Sequence, residues 1–308
     1  MLIQQLSYLA ALSRERHFGR AARACSVAQP TLSAGIRRLE QELGVQIVQR
    51  GQRFEGFTPE GDRVLVWAQR ILADCEGLQA DLGSMREGLS GRLRIGAIPT
   101  SLPAVPLLTG PLRRAHPQVG ISITSLSSRE IERGLHDFDL HVGLTYLEDE
   151  PLRNVRSVPL YRERYLLLTP ERGPHGASST VRWAQAAALP LCLLSPDMQH
   201  RRIVDGIFGE AGAAPSPVVE TNSISSLYAQ LREGELSAIV AHPWLRQYGI
   251  PPGLRAVPLV EPEHSYAIGL VLLDRDPEPL LVRALRELVP ASRIAAVLDD
   301  PVEPFELV

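Results

Sequence analysis

The sequence predicts a multidomain α/β protein with a helix-turn-helix at its N-terminus, one long helix after it, and an α/β body at its C-terminus. Three observations support this class. Two helical patterns joined by a very short turn fall early in the chain. Apolar residues then recur at alternating steps of four and three over about four heptads. Beyond Gly91, short apolar strands alternate with helices.

Composition describes a globular protein and excludes several classes. The chain has 308 residues, 44% hydrophobic and 22% charged, enough for about two or three domains. It contains no lysine, which excludes a Walker P-loop and lysine Schiff-base chemistry. Cys25, Cys75 and Cys192 are far apart and form no CxxC pair, so we expect no zinc site, no disulfide framework and no cofactor. No apolar run spans a bilayer and the N-terminus lacks signal-peptide features, so we expect a cytoplasmic protein.

Charge is distributed unevenly along the chain. The net charge is −3, but residues 1–60 hold eight arginines against five acidic residues. The head is therefore about +3 and the remainder about −6. A basic head on an acidic body suits a polyanionic partner, although a segment of this charge also arises by chance.

The helix predicted between Ala28 and Gly44 has one apolar and one polar face. Leu32, Ile36 and Leu39 recur at helical spacing, while the opposite face carries an amide, hydroxyls and guanidiniums. A short turn at Ser26–Val27 joins it to the preceding helix, as in a helix-turn-helix whose second helix enters the DNA major groove. The candidate DNA contacts are Gln29, Pro30, Thr31, Ser33, Arg37 and Arg38. The alternative is a solvated surface helix.

Two further features of the head favour DNA binding. Small Ala34 and Gly35 on the polar face permit close approach to the groove. The segment GQRFEGFTPEG then places an arginine-bearing loop between two short apolar pieces, which suits a wing on the DNA backbone. Arg50 and Arg53 are its expected phosphate contacts.

A long helix is predicted to begin at Thr58–Pro59, which combines a hydroxyl cap with proline at the first helical position. Its apolar seam has coiled-coil spacing, which favours a dimerisation helix over an amphipathic helix packed on its own domain. The seam residues are Val64, Ala68, Ile71, Cys75, Leu78, Leu82, Met85 and Leu89. We expect Cys75 to be a small buried side chain rather than a cross-link, since the cytoplasm is reducing.

The body is predicted to contain mostly parallel sheets. Its strand candidates are LRIGAI, VGISIT, DLHVGL, RYLLLT, PLCLLS, PVVE, LSAIVA and YAIGLVLL, with helices near 104–115, 128–134, 201–211, 223–233 and 278–289. Sheets of this kind bind ligands at the carboxyl ends of their strands, where the helices begin.

Several short motifs are spread over more than forty residues of the head. They are Phe18, Ala21–Ala22, Gln29–Pro30–Ser33, Ile36–Leu39–Glu40, Leu43–Gly44 and Thr58–Gly61. At these spacings the head resembles the N-terminal domain of LysR-type transcriptional regulators. Departures are limited to His17, where the family often has serine, and Ile47–Val48, where Leu-Phe is usual. In the body, GAIPTSLPAVPLL, AHPQVGISI, ERGLHDFDLHVGL and REGELSAIVAHPWL resemble recurring segments of the family, so the resemblance covers nearly the whole chain.

The resemblance implies a winged helix-turn-helix, a linker helix and a two-lobed effector domain of periplasmic-binding-protein type. The expected domains are 1–58, 59–90 and 91–308, with lobe I at about 91–162 and 267–308 and lobe II at about 163–266. It also implies dimers that pair into a homotetramer on promoter DNA, a small-molecule effector, contact with RNA polymerase and no membrane partner.

The effector residues are expected at the ends of strands, where hydroxyls and free backbone N–H groups suit a small carboxylate or oxyanion. The candidates are Thr100, Ser101, Ser127, Ser128, Ser195, Thr221, Asn222, Ser223, His141 and Arg201. Taken singly, each hydroxyl could be a helix cap, Arg201 a surface ion pair and His141 a hydrogen-bonded core residue.

The sequence therefore predicts a DNA-binding regulator switched by a small molecule. The alternative is an enzyme that uses the same cleft, but no GxSxG, HExxH or GxGxxG motif is present. A bare solute-binding protein would not carry the basic head. Redox sensing is disfavoured because Cys192 has no partner thiol in the body.

Overall fold

The computed structural model describes residues 1–49 and 54–299. The chain divides into two compact units, Met1–Leu89 and a second that begins at Ser90. No helix in the described ranges is both long enough and apolar enough to cross a bilayer.

The first unit contains four helices in its described part: α1 Ile3–Glu15, α2 Phe18–Ala24, α3 Gln29–Leu43 and α4 Pro59–Glu87. His17 starts α2, because its Nδ1 accepts hydrogen bonds from the N–H groups of Gly19 and Arg20. The imidazole thus performs the capping role for which serine is common. Gly44 ends α3 in the left-handed region at φ 68°, where glycine carries no steric penalty.

The head core forms where α1, α2 and α3 meet. Leu12, Leu32 and Leu39 are fully buried there. Gly35 faces this core rather than the polar surface, since a Cβ on it would lie 2.6 Å from the Tyr8 ring. The expectation that Gly35 serves close approach to DNA is therefore wrong; its small size admits Tyr8.

The predicted seam of α4 divides into a part packed on its own head and a part open to a partner. The predicted seam residues Val64, Ala68 and Ile71 pack on the core of their own head, and Ala68 is 1% exposed. These three are corrected from dimer contacts to intramolecular ones, because α1 of the same chain already covers them. Further along, Leu78, Leu82 and Met85 are 61%, 57% and 83% exposed.

The second unit alternates strands and helices. Its strands are β1 Gly91–Ala97, β2 Val119–Ser125, β3 Val142–Tyr146, β4 Val155–Pro170, β5 Val181–Arg182, β6 Cys192–Leu194, β7 Val219–Thr221, β8 Ala238–Ala241, β9 Leu254–Val260 and β10 Ser265–Leu273. A 3-10 helix at Pro99–Ala104 precedes α5 Val105–Ala115, and the other helices are α6 Ser128–His136, α7 Trp183–Ala186, α8 Gln199–Glu210, α9 Ile224–Leu231, α10 His242–Tyr248, α11 Leu280–Ser292 and α12 Ile294–Asp299.

Strand β4 belongs to two lobes at once. Its first part pairs with β10, which also borders β3 in the parallel set β2-β1-β3. From Tyr165 onward it pairs with β8 and β9 instead. All of these β4 and β10 pairings are antiparallel, so the expectation of mostly parallel sheets fails at the centre. The physical reason is that the chain crosses between lobes along β4 and returns along β10.

Candidate nucleic-acid interface and ligand cleft

The polar face of α3 is open to solvent. Leu32, Ile36 and Leu39 point into the head core, which leaves the opposite face outward. Its candidate contacts Gln29, Pro30, Thr31, Arg37 and Arg38 are exposed and Ser33 is half-buried. A helix that presents hydroxyl, amide and guanidinium groups at its N-terminal half has the chemistry of a groove-binding element.

The two arginines of this face differ in their surroundings. Arg38 forms an i,i+4 ion pair with Glu42 at 3.1 Å and remains 68% exposed. The pKa of Glu42 is lowered, first by its hydrogen bond to the N-terminus and then by Arg38. Among the described residues, Arg37 has no ion pair, so its guanidinium is free for an external acceptor.

The segment that leads into the wing is held in place by α3. Glu40 Oε1 accepts hydrogen bonds from the backbone N–H groups of Ile47 and Val48, at 2.8 and 3.1 Å. Val48 then bridges to Phe57 in antiparallel fashion, which forms the base of the loop. Arg50 and Arg53, the expected phosphate contacts of the wing, lie outside the described residues.

A cleft of about 240 Å³, solvent at its mouth included, lies between the two lobes of the second unit. Strand ends and helix starts from both lobes meet there. Its lining residues are Ile98, Pro99, Thr100, Ser127, Ser128 and Tyr146 from lobe I, and Met198, Gln199 and His200 from lobe II.

Three of the expected effector residues line this cleft. Thr100 is 1% exposed, and its hydroxyl lies near Tyr146 without a hydrogen bond of standard geometry to any described residue. Ser128 is also buried; its hydroxyl contacts Thr145 Oγ1 at 2.8 Å and, across the cleft, Gln199 Oε1. Ser127 caps α6 in a reciprocal box with Glu130, so its side chain is partly committed.

Three other expected contacts are corrected, because the structure commits their polar groups elsewhere. The Ser101 hydroxyl donates to the carbonyl of Ile98 at 3.0 Å, within the turn that follows β1. His141 Nδ1 accepts from the Arg94 N–H at 3.0 Å, and burial lowers the pKa of His141 to about 4. Arg201 pairs with Asp205 at 2.8 Å and also with Glu220. None of the three lines the cleft.

The remaining expected contacts are helix caps or lie apart from the cleft lining. Thr221 Oγ1 accepts the N–H of Ser223, whose own hydroxyl caps α9 at Ser226. Asn222 is exposed, and the Ser195 hydroxyl is buried without a partner among the described residues. The capping interpretation therefore accounts for one of the four, Ser223, while Thr221 closes the turn that precedes it.

Four side chains of the cleft and its rear wall were not predicted from the sequence: Tyr146, Glu163, Gln199 and His200. Glu163 is 0% exposed and accepts the Tyr146 hydroxyl at 2.5 Å. A signal for it existed in the alternation Tyr-Arg-Glu-Arg-Tyr at 161–165, because side chains of a strand alternate between faces. Tyr161, Glu163 and Tyr165 therefore share one face, and that face is buried.

Burial controls the protonation of this cluster. It raises the pKa of Glu163 to about 7, against the hydrogen bonds from Tyr146 and Tyr165 that lower it. It lowers the pKa of His200 to about 3, so that ring is neutral at neutral pH. His200 stacks near Trp244, with 4.9 Å between ring centroids.

No cysteine is among the described residues that line the cleft. Cys192 is fully buried in β6, and burial raises the pKa of its thiol to about 11. No group of three or more His, Cys, Asp or Glu side chains within 1–49 and 54–299 is arranged to hold a metal ion.

Comparison with known proteins matches both units. A family model described as the LysR substrate binding domain matches residues 86–292, and one described as the bacterial regulatory helix-turn-helix protein, lysR family, matches residues 3–62. The DNA-binding transcriptional dual regulator OxyR of Escherichia coli K12 is 32% identical over 88% of this chain and 89% of its own length. A hydrogen peroxide-inducible genes activator of Haemophilus influenzae is 29% identical over 98% of both chains.

Solved structures show the same architecture. A full-length OxyR cysteine-to-aspartate variant from Pseudomonas aeruginosa is 26% identical with a TM-score of 0.76, and the match covers 97% of this chain and 99% of that one. Full-length CbnR in complex with its target DNA is 22% identical with a TM-score of 0.66, covering 95% of this chain and 100% of that one. These matches confirm the predicted fold class: a helix-turn-helix followed by a two-lobed α/β domain.

Proposed function

Because this chain belongs to the LysR family of bacterial DNA-binding transcriptional regulators, we propose that a small anion bound in the inter-lobe cleft switches its hold on promoter DNA. The family itself is a family of transcription regulators, so the alternative of an enzyme is set aside. The finer points are which molecule binds, which residues hold it and which residues read DNA.

The hydrogen-bond donors around the cleft are the observation that supports an anionic ligand. The α6 and α8 helices both begin there, and the positive end of a helix dipole stabilises negative charge. Thr100 Oγ1, Gln199 Nε2 and the ring nitrogens of His200 are buried without standard hydrogen bonds to described residues. Buried donors that lack partners are costly, and the oxygens of a bound carboxylate or oxyanion would satisfy the Thr100 hydroxyl, the Gln199 amide and the single N–H of the neutral His200 ring.

The size of the cleft limits the ligand to a few heavy atoms. Its empty space is about 240 Å³ even with the open solvent at its mouth counted, so the enclosed part is smaller still. Formate, acetate, nitrate and sulfate have a suitable size, and each carries two or more acceptor oxygens.

Thiol-based peroxide sensing does not fit this chain, although the names of several relatives mention hydrogen peroxide. Cys192 is the single cysteine in the regulatory domain, and it is fully buried with a raised thiol pKa. The thiolate is the form that reacts, and it is scarce at neutral pH when the pKa is about 11.

The head is proposed to hold DNA as one half of a dimer. Gln29, Ser33 and Arg37 face base edges, while Thr31, Arg38 and the wing arginines contact phosphates. Leu78, Leu82 and Met85 form an exposed apolar stripe that a second copy of α4 would cover. The proposed assembly in the cytoplasm is a tetramer of two such dimers, placed beside RNA polymerase.

The switch is proposed to act through contacts that span the cleft. Ser128 reaches Gln199, and Arg202 of lobe II forms a two-pronged ion pair with Glu150 of lobe I, at 2.8 and 2.7 Å. An anion that takes the Ser128 and Gln199 donors replaces one of these links. It therefore favours one lobe arrangement over another, which is a population shift.

The test is calorimetric titration of the purified full-length protein with formate, acetate, nitrate and sulfate. The variant Thr100→Val with Ser128→Ala removes two donors, and hydrogen bonds to a charged group contribute about 1.5–3 kcal/mol each. We expect it to bind the tightest of the four anions at least tenfold more weakly. Its matched control is Ser179→Ala with Thr180→Val, the same residue types at exposed positions. Equal affinity in both double variants, or no binding of any of the four anions, would overturn the proposal.

A further inference from the structure

A carboxyl group stands behind the cleft wall, and the proposed function does not yet use it. Glu163 is fully buried on β4, and the Tyr146 hydroxyl lies 2.5 Å from its Oε1; Tyr165 is a second hydrogen-bonding neighbour of the carboxyl. Tyr146 lines the cleft beside Thr100. The second oxygen, Glu163 Oε2, has no hydrogen bond of standard geometry among the described residues.

The state of this carboxyl decides what Tyr146 can offer to a ligand. A phenol has one proton to donate. When Glu163 is ionised, it can only accept, so the Tyr146 O–H is held by the carboxylate and the phenol oxygen can only accept from the cleft. When Glu163 is protonated, its own O–H can donate to the phenol oxygen, and the Tyr146 proton is free to turn toward the cleft. One proton on Glu163 thus changes the cleft wall from acceptor to donor.

From this geometry we infer, on the basis of the proposed anionic effector, that Glu163 couples effector binding to the uptake of one proton. The proton comes from solvent and forms an O–H bond on Glu163; no other bond forms or breaks. An anion then finds a donor at Tyr146 instead of a lone pair, and it no longer faces a carboxylate charge behind the wall. Glu163 is in this sense a positioning residue that acts through Tyr146.

The other groups packed around Glu163 do not titrate in the same range. They are Tyr146 on β3, Tyr161 and Tyr165 on β4, Tyr266 on β10, His200 on α8 and His242 on α10. The pKa values of the four tyrosines are raised above their ordinary value by burial. Burial lowers the pKa of His200 to about 3 and that of His242 to about 4. The Arg164–Asp299 ion pair lies beyond His242, on the exposed side of β4.

Only Glu163 of this group therefore changes charge near neutral pH, since its pKa is about 7. The sign follows from the proton count. The anion-bound form carries a proton on Glu163, so binding weakens as pH rises above 7. Above that point the dissociation constant should increase about tenfold for each pH unit.

The experiment is calorimetric titration of the full-length protein with the four anions named above, at pH 6, 7, 8 and 8.5. Each titration is repeated in two amine buffers of unequal ionisation enthalpy, which gives the number of protons taken up. For the wild type we expect nearly one proton per anion at pH 8 and an affinity about fivefold weaker than at pH 7, where Glu163 is already half ionised. The exposed variant Glu171→Gln, a matched control, should behave as the wild type.

Glu163→Gln supplies the decisive comparison, because its amide carries a permanent donor and no charge. We expect affinity that does not depend on pH, no proton uptake, and binding about tenfold tighter than the wild type at pH 8. Should this variant fail to fold, Tyr146→Phe decides instead: it should bind weakly at every pH, with the ratio between pH 6 and pH 8 reduced toward one.

Two outcomes overturn the inference, and they differ from each other. In the first outcome, the wild type binds an anion with an affinity that does not depend on pH and without proton uptake. This result removes the role of Glu163 but leaves the proposal of an anionic effector intact. The same conclusion follows if Glu163→Gln keeps the wild-type pH dependence. No binding of any anion at pH 6 overturns the proposed function and the coupling with it.

Discussion

The α3 face and the inter-lobe cleft are both recognition surfaces, yet they hold their polar groups in opposite ways. On α3, Gln29, Thr31 and Arg37 stand exposed on a helix whose other face is buried. In the cleft, Thr100 and His200 are 1% and 3% exposed, and their side-chain polar atoms form no hydrogen bond of standard geometry with the described residues. A large polyanion can cover an exposed face, whereas a ligand of a few atoms needs donors that water cannot satisfy first. The two regions should therefore fail separately when they are mutated.

The largest expected effect is on the cleft side of this comparison. Trp244 is fully buried and stacks on His200. Trp244→Ala should lower the free energy of unfolding of the regulatory domain by about 3–5 kcal/mol, since it leaves a large cavity. Calorimetry of the full-length protein checks this, and DNA affinity without effector should stay as in the wild type. A loss of DNA binding at a temperature where the regulatory domain remains folded would contradict the separation.

The matching substitution in the head should have a slightly smaller effect on stability. Leu32 of α3 is fully buried in the head core. Leu32→Ala should lower the free energy of unfolding of the head by about 2–5 kcal/mol. DNA binding should fall with the stability of the head, while anion binding by the regulatory domain should be unchanged. Impaired anion binding in this variant would show that the two regions are not independent.

A surface change sharpens the comparison without unfolding either unit. Arg37→Ala should weaken binding to the specific site by about 1–3 kcal/mol and relax base preference at one position, because a free guanidinium is removed from the groove. Competition binding against a set of single-base variants measures both effects. Unchanged affinity and preference would remove Arg37 from the proposed base contacts.

The smallest expected effect belongs to Arg38, which already shares its charge with Glu42. Arg38→Ala should weaken binding to the specific site and binding to random DNA to the same modest extent. It should also reduce the slope of log affinity against log salt concentration by about one. Titrations at several salt concentrations check this. A selective loss on the specific site would instead mean that Arg38 reads a base.

The sequence allowed one region to be predicted far better than the other. The α3 face follows from helical periodicity within fifteen residues, so Leu32 and Arg37 could be assigned to opposite sides. The cleft depends on contacts between distant segments. The sequence suggests Arg201 as a counter-charge for the effector, but Asp205 and Glu220 already form ion pairs with it. Glu163 could not be predicted, because an acidic residue between Arg162 and Arg164 suggests an exposed strand, whereas the face of Glu163 is buried by packing against distant segments.

The same limit applies to α4. Heptad spacing predicted one continuous seam, yet periodicity cannot distinguish a partner helix from the chain's own core. The head core captures Ala68, and Leu78 and Leu82 remain for a second copy. Tertiary contacts with α1 make that division, and no local pattern encodes it.

The most direct test of a sequence-specific, ligand-switched regulator is selection of genomic DNA fragments on the purified full-length protein, with the recovered fragments titrated at several salt concentrations in the presence and absence of the four anions. We expect one or a few intergenic sites to be recovered, with tight, steeply salt-dependent binding that at least one anion alters. Binding with no enriched sequence, or no binding under any condition, would contradict the account.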